Sequence, residues 1–169
     1  IKRETTYWSK IAQKAVDAKQ MSFWALLEKV GGYDLPNSSN FLFINTFSNV
    51  DSAMASNVFN TKVVFPAIPY NQIETGSFTT VTSQLFLHDE DWAQVKDANP
   101  AKDFNYVVMN YHYTNDAGGF VNAEKNIWKP FLQASMDKKQ TQQVGWGNAI
   151  VLSPTGGDIK FNSISYDLF

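Results

Sequence analysis

Glu4, Trp8, Gln13, Asp17, Lys19 and Gln20 recur 120 residues later, without a gap, as Glu124, Trp128, Gln133, Asp137, Lys139 and Gln140. The apolar positions between them correspond as well: Tyr7, Trp8, Ile11, Ala12, Ala15 and Val16 match Ile127, Trp128, Phe131, Leu132, Ser135 and Met136. Both sets have the i, i+1, i+4, i+5, i+8, i+9 spacing that lines one face of a helix. A repeat of this kind requires one supersecondary unit to be built twice, and it constrains the architecture more than any local propensity does. Trp8 and Trp128, at matching helix positions, are expected as core anchors.

The second copy is the easier to read. Phe104–Thr114 is rich in aromatic and β-branched residues and reads as a strand. Asn115, Asp116, Gly118 and Gly119 end it, and a helix follows over about 121–139. Pro130 is awkward there, so the ordered helix is expected to begin near Trp128, with the proline in its first turn. Gln143–Leu152 and Ile159–Leu168, separated by a Pro- and Gly-containing turn, read as a hairpin. In the first copy, helix Thr5–Lys19 leads to strands Met21–Val30 and Phe41–Phe47. A second helix capped by Asp51 is expected to reach Lys62, then a strand over Ser77–Leu87 and a polar connector from Asp89 to Asp103.

Overlaying the copies yields β-α-β-β-α-β, the split βαβ or ferredoxin-like motif. The expected fold class is therefore α+β, with tandem ferredoxin-like repeats. Residues 1–102 hold the first repeat, lacking its opening strand, with its connector; residues 103–169 hold the second, lacking its closing helix and strand. Truncation at both ends is the expected reason, and the chain begins with Ile1 rather than Met.

Composition excludes several functions. A net charge of −2 argues against an electrostatic nucleic-acid binder. No apolar run approaches the ~18 residues of a membrane span. Zero cysteines exclude disulfides, thiolate nucleophiles and Cys-ligated metals together, and fit a periplasmic or secreted protein. No phosphate-binding glycine pattern, serine nucleophile elbow or carboxylate dyad is present. His88-Asp89-Glu90-Asp91 reads as capping or solvated acids sooner than as a metal cluster. Asn37-Ser38-Ser39 matches the glycosylation sequon, a frequent chance match.

The run Glu124-x-x-x-Trp128-Lys-Pro130, followed by Gly145-Trp146 and Pro154-x-Gly156, resembles secreted proteins of Bacteroidetes-type bacteria, which are similar to the dimeric α/β-barrel superfamily. That superfamily includes antibiotic-biosynthesis-type monooxygenases, haem-degrading enzymes, and stress-response and EthD-like domains. The resemblance implies two four-stranded sheets packed face to face, helices outside and any ligand inside, with both halves supplied here by one chain. Some of its monooxygenases use an Asn on the first strand and a Trp on a later one, with a His or Tyr nearby and no organic cofactor.

Period-2 alternation puts Phe104, Tyr106, Val108, Asn110 and His112 on one face of their strand, and Val107, Met109, Tyr111 and Tyr113 on the other. The second set looks the better match for packing under helices, so Asn110 and His112 are expected in the barrel interior. Trp146 and Asn148 share a face of the neighbouring strand, and Trp24 matches Trp146 after a two-residue shift. Asn110, His112, Trp146, Asn148 and Trp24 are thus the candidate ligand-binding residues, around a mostly apolar cavity. The structural alternatives are a half-buried, hydrogen-bonded His112 and packing roles for both tryptophans.

The leading expectation is a non-catalytic domain of the bacterial cell envelope without a cofactor. It would bind a small apolar or aromatic ligand, or a protein partner within a larger assembly. The alternative is a cofactor-independent or haem-dependent monooxygenase using Asn110, His112 and Trp146.

Overall fold

The repeated segment forms the same helix twice, down to its irregularities. The computed structural model describes residues 1–31, 38–55, 57–99, 102–156 and 160–169. The chain is α+β, in two compact units, Ile1–Thr82 and Ser83–Phe169. In the first, helix α1 is a π-helical turn, Glu4–Trp8, continued by regular α-helix, Ser9–Asp17. A two-stranded antiparallel hairpin follows, β1 (Phe23–Glu28) and β2 (Phe41–Thr46). Three short helices, α2 (Val50–Met54), α3 (Thr61–Val64) and α4 (Tyr70–Ile73), complete it with a 3-10 turn, Gly76–Phe78.

The second unit has strands β3 (Phe86–Gln94), β4 (Val107–His112), β5 (Gly145–Ser153) and β6 (Ser163–Leu168). They form one sheet in the order β3-β5-β6-β4, and all neighbours are antiparallel. Between β4 and β5 runs one continuous helix, α5: Ala117–Ala123, a π turn at Glu124–Trp128, and Lys129–Asp137. β4 and β5 are parallel to each other with β6 between them, so β4-α5-β5 is a split βαβ connection.

In both helices the amide after the π turn reaches five residues back, Ser9 to the Glu4 carbonyl and Lys129 to that of Glu124. Position 10 is Lys and position 130 is Pro, so the wide turn belongs to the repeat and not to the proline. Pro130 is tolerated mid-helix because hydrogen bonding has already been shifted by a residue at the turn before it. Both helices also end alike. Lys19 (φ 58°) and Lys139 (φ 53°) are left-handed. Their amides bond to Val16 and Met136, and the next amides, Gln20 and Gln140, to Ala15 and Ser135, each at 2.9 Å. This is the Schellman pattern, with lysine where glycine is usual. Gln13 donates to Asp17 at 2.8 Å, as Gln133 does to Asp137 at 2.9 Å.

The hairpins repeat with equal fidelity, offset by 122 residues. The pairs from Phe23↔Thr46 to Glu28↔Phe41 correspond to those from Gly145↔Leu168 to Ile150↔Ser163. In the second unit Leu132 and Met136 of α5 pack on Trp146 and Ala93. Trp146 has no exposed area, and its burial contributes about 4–6 kcal/mol. In the first unit Ala15, Met21 and Val58 form the core, with Trp24, Phe47 and Phe59 against it.

Several expectations are corrected. The strand expected over Ser77–Leu87 shares only Phe86 and Leu87 with β3, which runs on through Asp89–Gln94, the first part of the expected connector. Its polar run and irregular register between Asp89 and Asp91 conceal its alternation, and the described residues from Val95 to Asp103 lie outside any strand. Helix α5 begins at Ala117, not near Trp128, because Asp116 caps it by accepting from the Gly119 amide at 2.9 Å. Asn49, not Asp51, caps α2, which ends at Met54 instead of reaching Lys62. Trp8 and Trp128 are not equivalent anchors. Trp8 is half-buried against Phe59, whereas Trp128 is 46% exposed and stacks on Phe131. The sequon Asn37, Pro100, and Gly157-Asp158 of the expected turn lie outside the described residues.

Left-handed backbone costs a residue with a Cβ about 1–2 kcal/mol relative to glycine. Lys19→Gly and Lys139→Gly should therefore each stabilise the protein by about 1 kcal/mol in chemical denaturation. Destabilisation by either would refute this account of the helix ends.

Candidate functional site

The strand register decides which side chains share a face. Asn110 and Asn148 both stand opposite Ser165, and His112 and Ile150 opposite Ser163. Trp146 stands opposite Asp167. Directly paired residues point to the same side, so Asn110, His112, Trp146 and Asn148 do share one face of the second sheet. That face lies under α5: the His112 ring is 5.3 Å from that of Phe120, and Asn148 Nδ2 donates to Glu124 Oε2 at 2.5 Å. The expected face assignment is inverted. Polarity points such strand residues to the open side because helices usually cover apolar faces, but this helix carries its own buried carboxylate.

Beneath the helix these residues form a polar layer. His112 Nε2 and Ser165 Oγ lie 3.1 Å apart, and Asn110 Nδ2 donates to Asp167 at 2.9 Å. Gln143 Nε2 donates to the other oxygen of Asp167 at 2.7 Å. Burial raises the Glu124 pKa above the usual carboxylate range, and the charge of Asp167 adds to it; the Asn148 hydrogen bond and His112 act in the opposite direction. Trp146 Nε1 and Asn148 Oδ1 are buried without a partner among the described residues. Each such atom costs about 1–3 kcal/mol. The layer joins helix to sheet, and neither of the two cavities described next includes Asn110, His112, Trp146 or Asn148.

The first of these cavities, about 470 Å³, is an open groove lined by Asp89, Glu90, Asp91, Trp92 and Tyr166. Gly147 makes room for Tyr166, since a Cβ there would stand 2.5 Å from its ring. Burial, then the neighbouring Asp89, raises the Tyr166 pKa, so the phenol stays protonated at neutral pH. The charged run is largely paired. His88 Nδ1 meets Glu90 at 2.8 Å, and Lys129 bonds to Asp91. Burial pushes the Asp91 pKa up, but the Lys129 and Trp92 hydrogen bonds and the lysine charges hold it below its usual range. Among the described residues no group of three or more His, Cys, Asp or Glu side chains could hold a metal ion.

The second cavity, about 170 Å³, lies in the first unit between α1, the hairpin and the segment after it. Glu4, Trp8, Trp24, Phe43, Asn45, Phe59 and Thr75 line it. Trp24 stands opposite Asn45, and Leu26 opposite Phe43. Trp8 Nε1 donates to the Ile73 carbonyl at 3.1 Å, and its ring meets Phe59 edge-on at 6.2 Å. Glu4 is only 6% exposed, yet no hydrogen bond to its carboxylate is found among the described residues. Of the candidates read from sequence, this cavity holds Trp24 alone. Glu4, Phe43, Asn45 and Phe59 are not among those candidates. Glu4 and Glu124 do carry a signal: an acid repeated in both copies, one helical turn before the tryptophan of the apolar face.

The chain matches no family model, no curated protein and no solved structure.

A carboxyl with a raised folded-state pKa supports stability fully at low pH and loses that contribution as pH rises from about 4.3 through its folded value. Glu124→Gln retains an acceptor for Asn148 but removes the titration. Its melting temperature should fall less than that of the wild type as pH rises through this window. Parallel pH–stability curves would refute the assignment.

Proposed function

We propose that this chain is a non-catalytic small-ligand-binding domain of the bacterial cell envelope, built as tandem ferredoxin-like repeats, with its binding site in the Glu4 cavity. The observation that carries the reading is a nearly buried, unbonded carboxylate facing a cavity walled by Trp8, Trp24, Phe43 and Phe59. Convergent aromatic walls with one polar anchor are the usual make-up of a ligand pocket. At about 170 Å³ the cavity is smaller than the ~300–1,000 Å³ of drug-sized pockets and suits a compact group or the head of a longer molecule.

Support for the repeat comes from the shared π turns, the shared Schellman ends and the matched hairpin register. The envelope placement rests on the absence of cysteine and on the resemblance of the W-K-P, G-W and P-x-G residues. Among the described residues, no helix is long and apolar enough to cross a membrane. Binding without turnover is favoured because His112, Asn110 and Asn148 are engaged in internal hydrogen bonds beneath α5.

A thermal-shift screen of small organic compounds should find ligands that raise the melting temperature. A ligand at 100 times its Kd stabilises by about 2.7 kcal/mol. Phe43, 44% exposed at the cavity rim, can be truncated with little effect on the core, and Phe43→Ala should abolish the shift. The bound compound should be recovered unchanged by mass spectrometry. A shift unaffected by Phe43→Ala, or recovery of a converted product, would contradict the proposal.

A further inference from the structure

We infer that the Glu4 cavity is a receptor for the ammonium head of a small organic cation, of the quaternary or alkylated-amine class. The inference rests on the ligand-binding reading above and names the chemistry that the site selects. The two copies of the helix–hairpin unit differ at the positions that decide it.

In the second unit the buried carboxylate is satisfied from within, by Asn148 at 2.5 Å. The register that equates Trp24 with Trp146 equates Leu26 with Asn148, Phe43 with Ser165 and Asn45 with Asp167. The first unit therefore has the acid but not its donor, and a phenyl ring where the second has a hydroxyl. Replacing both partners of a buried hydrogen bond by apolar groups can be nearly neutral, whereas replacing one leaves the full desolvation penalty of the other. Glu4 lacks that donor, and its carboxylate is left to face the cavity.

The one guanidinium close by in sequence is committed elsewhere. Arg3 donates to the Asn71 carbonyl at 3.0 Å and the Glu74 carbonyl at 2.5 Å, and lies 4.6 Å from the centre of the Phe78 ring. The Trp8 N–H is spent on Ile73. Asn45 and Thr75 also line the cavity, though neither is hydrogen-bonded to Glu4 among the described residues. The rest of the wall is aromatic: two indoles and two phenyl rings, whose faces attract cations and bring no charge of their own. An anion would meet Glu4 with no cation among the lining residues, and a neutral apolar ligand would leave the carboxylate unpaired. A monocation answers both the acid and the rings. The cavity corresponds to roughly six waters at about 30 Å³ each, the size of a compact head group with any tail leaving past Phe43 and Asn45.

The probes are choline, tetramethylammonium and the uncharged isostere 3,3-dimethylbutan-1-ol, followed by tryptophan fluorescence and calorimetry at constant ionic strength. The wild type should bind both cations saturably and the alcohol at least tenfold more weakly. Glu4→Gln should weaken choline tenfold or more and change the alcohol less than twofold. Leu26→Asn offers the first unit the donor that the second already has, and it too should suppress choline binding. It keeps the test decisive if Glu4→Gln does not fold. If the alcohol bound as tightly as choline, the cation inference would be overturned and the ligand-binding reading would stand. If screened compounds bound but neither cation did, the cation inference would again fall alone. If nothing bound saturably, both would fall. Choline binding undiminished in Leu26→Asn and Glu4→Gln would place the cation at another site and overturn the inference.

Discussion

A carboxylate set where a helix packs on strands calls for a donor; the second unit supplies one from its own sheet, and the first leaves the acid facing a cavity. Glu4 and Glu124 each open a π turn, and the widened turn is part of the repeated segment irrespective of the residue that follows. Wide turns of this kind recur at functional positions in helices. In the second unit the demand is answered by Asn148, and His112–Ser165 and Asn110–Asp167–Gln143 extend the polar layer around it. A layer so connected fixes how α5 lies on the sheet more narrowly than the Leu132 and Met136 contacts alone, because hydrogen bonds are directional and apolar contacts are not.

The two helices share an apolar pattern but not its cover. Tyr7 meets Phe65 edge-on at 5.3 Å and Trp8 meets Phe59, so the segment after the first hairpin covers that stripe. The matching Ile127, Trp128 and Phe131 are 70%, 46% and 58% exposed. An amphipathic pattern states that a stripe favours burial; it does not name the element that buries it. Trp128 and Phe131 compensate in part by stacking on each other at 5.4 Å.

The same limit sets how much of the molecule is legible in its sequence. Both helices, both hairpins and the α+β class follow from periodicity and the repeat, since long periodic segments carry strong signals. The short helices α2, α3 and α4 do not, because four- and five-residue helices depend on caps such as Asn49 and Asn60 more than on pattern. β3 is hidden for another reason. Its charged residues and register irregularity suit an edge strand but interrupt alternation. For β4, alternation separates Asn110 and His112 correctly from Val107 and Met109, yet alternation is symmetric and cannot say which face the helix takes. Polarity is the remaining criterion, and Glu124 makes it fail. Of the favoured cavity, Trp24 is legible as an aromatic matched between copies, while Glu4 reads as a helix-surface acid.

The offset of the repeat explains why Trp24 could be found at all. The helices repeat at 120 residues and the hairpins at 122, so the second copy has two more residues between Gln140 and Gly145 than the first has between Gln20 and Phe23. Side chains in a strand alternate with period two, so an even slip leaves every residue on its own face, whereas an odd one would exchange the faces. A gapless overlay of the hairpins therefore misplaces each residue along its strand but not across it. Faces are preserved and partners are lost. That is why the sequence could match the two tryptophans while the substitution of Leu26 for Asn148, on which the chemistry of the first unit turns, emerged only from the strand register.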